Sequence, residues 1–88
     1  MSAKVILSDN LVRLAKGTGV FEVRGRTVGE CLNDLLMSVP ALKGALFYET
    51  HLDQSVAVLL NDRSVEGRDR LTSAVEEGDV IHIKLERH

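Results

Sequence analysis

The chain has 88 residues, 44% apolar and 27% charged, with a formal net charge of −2. This is the composition of an ordinary globular domain, which excludes a disordered segment. It also argues against a nucleic-acid binder, which needs a basic field to displace counterions. Aromatic residues are only 3%, so the core has to be built from Val, Leu, Ile and Ala. The densest basic group, Arg63, Arg68 and Arg70, is interrupted by Glu66 and Asp69 and reads as a solvated surface. The opening residues hold no apolar segment of signal-peptide length, and no stretch is long enough to span a membrane. One cysteine cannot form an internal disulfide, which suits a reducing compartment. The expectation is one domain over residues 1–88, cytoplasmic, with no nucleic-acid or membrane partner.

In chain order, Ala3–Ser8 (AKVILS) is a short β-type run. The polar stretch from Asp9, ending in Gly17 and Gly19, reads as a loop or a broken helical turn. Val20–Arg24 (VFEVR) alternates as a second strand, so the two form a hairpin with a long connection. Val28, Cys31, Leu32, Leu35, Leu36 and Val39 then fall on one helical face. Thr27 stands at the N-cap position with Glu30 three residues on, the capping-box spacing, and Pro40 ends the helix near Val39. The next stretch is irregular, with a short helical turn around Ala41–Leu46. Ser55–Asn61 (SVAVLLN) is a nearly continuous apolar run and reads as a central strand buried on both faces. Asn61-Asp62 makes a tight turn into a short strand around Arg63–Val65. Leu71 and Val75 anchor a polar connection. Val80–Leu85 (VIHIKL) alternates strictly, with Ile81, Ile83 and Leu85 on one face and Val80, His82 and Lys84 on the other.

The order β-β-α-β-β-β, with one long helix, predicts an α+β fold. A compact ubiquitin-like roll, in which a mixed four- to five-stranded sheet packs on one main helix, is the natural candidate. Catalytic chemistry is poorly represented. There is no glycine-rich phosphate loop, nucleophile motif or metal-ligand spacing, so no catalytic residue, metal or cofactor is implied. The histidine of His51–Asp53 (HLD) would need ligands from elsewhere to hold a metal and reads as part of a solvated loop. His82, on the polar side of its strand, faces water or a partner. Cys31 lies on the apolar helical stripe and reads as a small core hydrophobe. Met37 falls off that stripe and should be exposed.

Several segments together resemble the MoaD/ThiS family of small β-grasp proteins, which includes the small subunit of molybdopterin synthase and the thiamin sulfur carrier. They are the helix start TVGECLNDLL, the strand-and-turn VLLN, and the approach to the last strand marked by Leu71, Val75, Gly78 and Asp79. The resemblance covers nearly the whole chain. It implies a sulfur-carrier ancestry, with a C-terminal Gly-Gly whose carboxylate is adenylated and converted to a thiocarboxylate. It also implies a protein partner, either an adenylating enzyme or a large synthase-type subunit. The sequence departs from this pattern at the tail, where the carrier position holds Glu86, Arg87 and His88 in place of glycines. It departs again on the sheet face that relatives use for partners. There the candidate contact residues are Ile6, Ser8, Ser64, Val80, His82 and Lys84, more polar than the family pattern.

Two functional readings follow. The first is a non-catalytic protein-binding module or accessory subunit for a partner enzyme. The alternative is a sulfur carrier for molybdopterin, thiamin or related sulfur transfer whose glycines lie outside these 88 residues.

Overall fold

The computed structural model describes residues 2–49, 51–67 and 69–86. Strands β1 (Ser2–Leu7), β2 (Val20–Arg24), β5 (Val56–Leu60), β6 (Arg63–Val65) and β7 (Val80–Leu85) form one sheet in the order β2-β1-β7-β5-β6. The first and last strands are parallel neighbours in its middle, with Val5 opposite Ile81 and Leu7 opposite Ile83; the other pairs are antiparallel. A second, two-stranded ladder joins β3 (Phe47–Tyr48) to β4 (His51–Leu52) within the stretch that the sequence leaves irregular. The helices are α1 (Asp9–Val12), α2 (Val28–Ser38), α3 (Leu42–Leu46) and α4 (Asp69–Thr72). This is the β-grasp arrangement expected from the pattern, with a five-stranded sheet on one main helix.

The core lies between α2 and the inner sheet face. Val28, Cys31, Leu32 and Leu35 from the helix meet Val5, Val23, Val58, Ile81 and Ile83 from the strands, all fully or almost fully buried. Leu11, Leu42 and Leu46 close the ends of this layer. Fully burying each such side chain contributes about 1.5–3 kcal/mol before entropy is charged against it. Burial and the neighbouring carboxylates of Asp34 and Glu30 push the Cys31 thiol up, so the reactive thiolate is disfavoured there.

The start of α2 is built as its spacing predicts, with one shift. The Glu30 N–H donates to Thr27 Oγ1 at 3.1 Å, but the Glu30 carboxylate accepts from Arg26 N–H at 3.0 Å, one residue before the cap. Gly25 makes this entry possible: a Cβ there would sit 2.8 Å from Cys31 N and from Glu30 Cβ. The connection after β6 runs alongside this helix start through Val28 N–H to Ser73 O and Val75 N–H to Arg26 O.

The sequence reading needs two corrections. Strand β5 is not buried on both faces: Val56, Val58 and Leu60 are inside, whereas Ala57 and Leu59 are half-buried on the outer face. A continuous apolar run hid an alternation of burial because the outward residues are apolar too. The second concerns Arg70, which is no freely solvated cation. Its Nη1 donates to Asp53 O at 2.7 Å and to Val56 O at 3.0 Å, its Nη2 to Leu52 O at 3.1 Å, and its Nε to Gly67 O at 3.2 Å. One guanidinium thus satisfies carbonyls where β6 is too short to pair with the start of β5.

Candidate functional site

The sheet face opposite α2 has no helix packed across it among the described residues. Cross-strand partners share a face, so the register reads directly as rows. The central row crosses all five strands as Val20, Ile6, His82, Leu59 and Ser64. A second row carries Glu22, Lys4 and Val80, and a third carries Lys84 and Ala57. Val20 is 55% exposed, and Ile6, Ala57, Leu59 and Val80 are half-buried. The result is an apolar stripe interrupted at its centre by His82 and flanked along the inner strands by Lys4 and Lys84. The acidic Glu22 and Asp62 stand on the outer strand β2 and at the β5–β6 turn.

Five of the six residues picked out from sequence, Ile6, Ser64, Val80, His82 and Lys84, lie together on this face. The remaining one, Ser8, sits just past the end of β1, and its hydroxyl is engaged inside the fold. Val20, Ala57 and Leu59 were missed. For Leu59 the apolar run masked the signal, but the two-residue period counted back from the Asn61-Asp62 turn would have placed it outward. Met37, on the far side of the molecule, is 79% exposed, as expected for a residue off the helical stripe.

His82 Nδ1 lies 3.9 Å from Asp62 Oδ1, an ion pair only when the imidazole is protonated. Asp62 is held there by backbone shape. Asn61 and Asp62 have φ of 51° and 68°, the pair of left-handed residues that a two-residue hairpin turn matching the strand twist requires. Asn61 also fixes the approach to β7. Its Nδ2 donates to Asp79 Oδ1 at 3.0 Å, its Oδ1 accepts from Val80 N–H at 2.9 Å, and Asp79 Oδ2 accepts from Glu76 N–H at 2.8 Å. Those two bonds, with the backbone one foremost, hold the Asp79 carboxyl below the usual range. Two hydrogen bonds from Ser2 do the same for Glu77.

At the other end of β7, Leu85 is half-buried and Glu86 exposed, with Glu86 N–H donating to Ser55 O at 2.7 Å. Arg87 and His88, the rest of the tail singled out in the sequence, lie outside the described residues. Among the described residues no three His, Cys, Asp or Glu side chains are grouped to hold a metal, and no helix is long and apolar enough to cross a membrane.

No protein-family model and no curated protein sequence matches the chain. Solved structures do. The chain is similar to a chain of the Amycolatopsis orientalis BexX/CysO complex, with 26% identity over 98% of this chain and 97% of that one and a TM-score of 0.88. It is similar to the small archaeal modifier protein 1 of Methanosarcina acetivorans, with 27% identity over 96% and 91% of the two chains and a TM-score of 0.85. These neighbours are ubiquitin-like proteins of MoaD/ThiS type, and the chain shares their fold over nearly its whole length. A chain of the complex of subunits 1 and 2 of the molybdopterin-converting factor from Helicobacter pylori 26695 shares the fold, at 20% identity over 100% and 97% of the chains and a TM-score of 0.66. Two of these MoaD/ThiS-type structures are therefore complexes with a protein partner.

Proposed function

We propose that this MoaD/ThiS-type protein is a non-catalytic binding module that docks on a partner enzyme through its open sheet face. The observation that carries the reading is the row Val20–Ile6–His82–Leu59, an apolar stripe crossing the sheet where no helix covers it. Apolar surface gathered on one face and rimmed by charge marks an interaction site. Ile6, Leu59, Val80 and Val20 supply the buried contact, His82 sets its polar centre, Lys4 and Lys84 flank it, and Ser64 lies on the edge strand. The BexX/CysO and molybdopterin-converting-factor complexes support a partner of enzyme-subunit type. The protein then contributes binding, and the partner contributes the chemistry.

The test is a binding titration against the partner that co-purifies with the native protein. Leu59→Asp or Ile6→Asp places a charge in the apolar contact and should weaken binding at least tenfold, whereas Met37→Asp, on the helix side, should leave it unchanged. Equal affinity for all three variants refutes the sheet-face reading. The carrier alternative predicts a different outcome: a C-terminal acyl-adenylate formed with ATP and an adenylating enzyme, detected by mass spectrometry, on a native chain that continues to glycines.

A further inference from the structure

Strand β7 is offset along the neighbour that supports it, so that its end runs past the end of β1. Its parallel pairing with β1 ends at Leu7 opposite Ile83, yet β7 continues to Leu85. Beyond Leu7 the β1 side offers no strand, so Leu85 would have nothing there to bond. Two side chains stand in for the missing ladder. Leu85 N–H donates to Ser8 Oγ at 3.2 Å, and Asn10 Nδ2 donates to Leu85 O at 2.9 Å. The Ser8 hydroxyl in turn donates to Asn10 Oδ1 at 2.6 Å, which closes a ring through both polar groups of Leu85. Ser8 N–H donates to Ile83 O at 3.0 Å and seats the ring on the strand.

Ser8 occupies the N-cap position of α1, where a serine hydroxyl ordinarily accepts from the helix. Here it makes no such bond. The hydroxyl has been diverted from the helix to the strand end. On the opposite side Ser55 O holds Glu86 N–H, and Ser55 is itself held, through N–H at 2.8 Å and Oγ at 2.6 Å, by Asp53 Oδ1. The chain therefore leaves the sheet between two fixed points.

We infer that Ser8 and Asn10 are positioning residues that hold Leu85 and Glu86 in a fixed place beside the open face, where a docked partner meets them. The ring lies beside the row of Lys84 and Ala57, so a protein that docks on the open face finds the backbone of Leu85 already held. The inference rests on the proposed docking role only for the use of that strand end; the clamp itself is a property of the free protein, and the experiment reads it there.

Amide hydrogen exchange of the uncomplexed protein, followed by NMR, tests it. In Ser8→Ala and in Asn10→Ala, the Leu85 amide should exchange at least tenfold faster while Val58, Ile81 and Ile83 keep their protection. Ser8→Thr, which retains the hydroxyl, should restore the parent rate. Trimming with a carboxypeptidase should stall before Leu85 in the parent and pass it in both alanine variants, which reads the local release of the strand end. Unchanged exchange at Leu85, or a loss of protection shared equally by the core amides, overturns the clamp. If the clamp responds as expected but Leu59→Asp leaves partner affinity intact, the docking reading fails and the clamp stands.

Discussion

Replacing Arg70 with methionine tests whether one arginine of α4 is a structural keystone. Methionine keeps most of the aliphatic stem and removes the guanidinium, which bonds the carbonyls of Leu52, Asp53, Val56 and Gly67. The bonds to Leu52, Asp53 and Val56 are part-buried. A hydrogen bond to a charged group contributes roughly 1.5–3 kcal/mol net, and bonds that share one donor group are not additive. Water can reach some of the freed carbonyls in this open groove, so the expected loss is about 2–4 kcal/mol. In a domain of this size, 1 kcal/mol moves Tm by about 4–8 °C. Thermal unfolding followed by circular dichroism should show Arg70→Met melting about 8–30 °C below the parent. Arg70→Lys should fall nearly as far, because an ammonium cannot span the fork of carbonyls. A shift below about 4 °C in both variants would refute the keystone argument and return Arg70 to the solvated surface.

The Asp79 and Glu77 carboxyls titrate lower in the folded protein than in the unfolded chain, so they stabilise the fold above the ordinary carboxylate range and lose that contribution as pH falls through their lowered values. Urea unfolding should therefore be flat near neutrality and weaken below about pH 4, the carboxylate range, with Asp79→Asn flattening part of the acid limb. Asp62→Gly relieves a left-handed residue at the β5–β6 turn and should be neutral or stabilising by up to about 1 kcal/mol in the same assay. Gly25→Ala should destabilise clearly, since its Cβ would press on the backbone at Cys31 and cannot be relieved by a side-chain rotation. A melting curve that matches the parent would disprove the close approach.

Much of the scaffold was legible because its signals are local and periodic. The apolar stripe of α2 and its Thr27 cap are written in residues within a few turns of one another, and β7 alternates without a break. The docking face was only partly legible. Val80, His82 and Lys84 could be placed from strand alternation, and Ile6 and Ser64 from the family resemblance, but Leu59 lies in a run where inward and outward residues are equally apolar. The roles of Arg70 and Ser8 depend on where neighbouring strands stop. Arg70 fills the gap left by a three-residue β6, and Ser8 the gap left when β1 ends before β7. No property of either residue's own segment announces such a vacancy. The β3–β4 ladder was invisible for a related reason, since two-residue strands are too short to show a period.

The central parallel pairing of β1 with β7 has a consequence for biosynthesis. Strand β1 leaves the ribosome well before β7 and cannot find its inner partner until residues 80–85 have also emerged, so the long-range contacts at the middle of the sheet form late in synthesis of this domain. Val5 and Leu7 must wait beside only β2 while nearly the whole chain is made. A nascent chain stalled before Val80 therefore displays an unpaired inner edge and an open aliphatic layer. It should be captured by chaperones or proteases, so that only chains that have completed β7 accumulate.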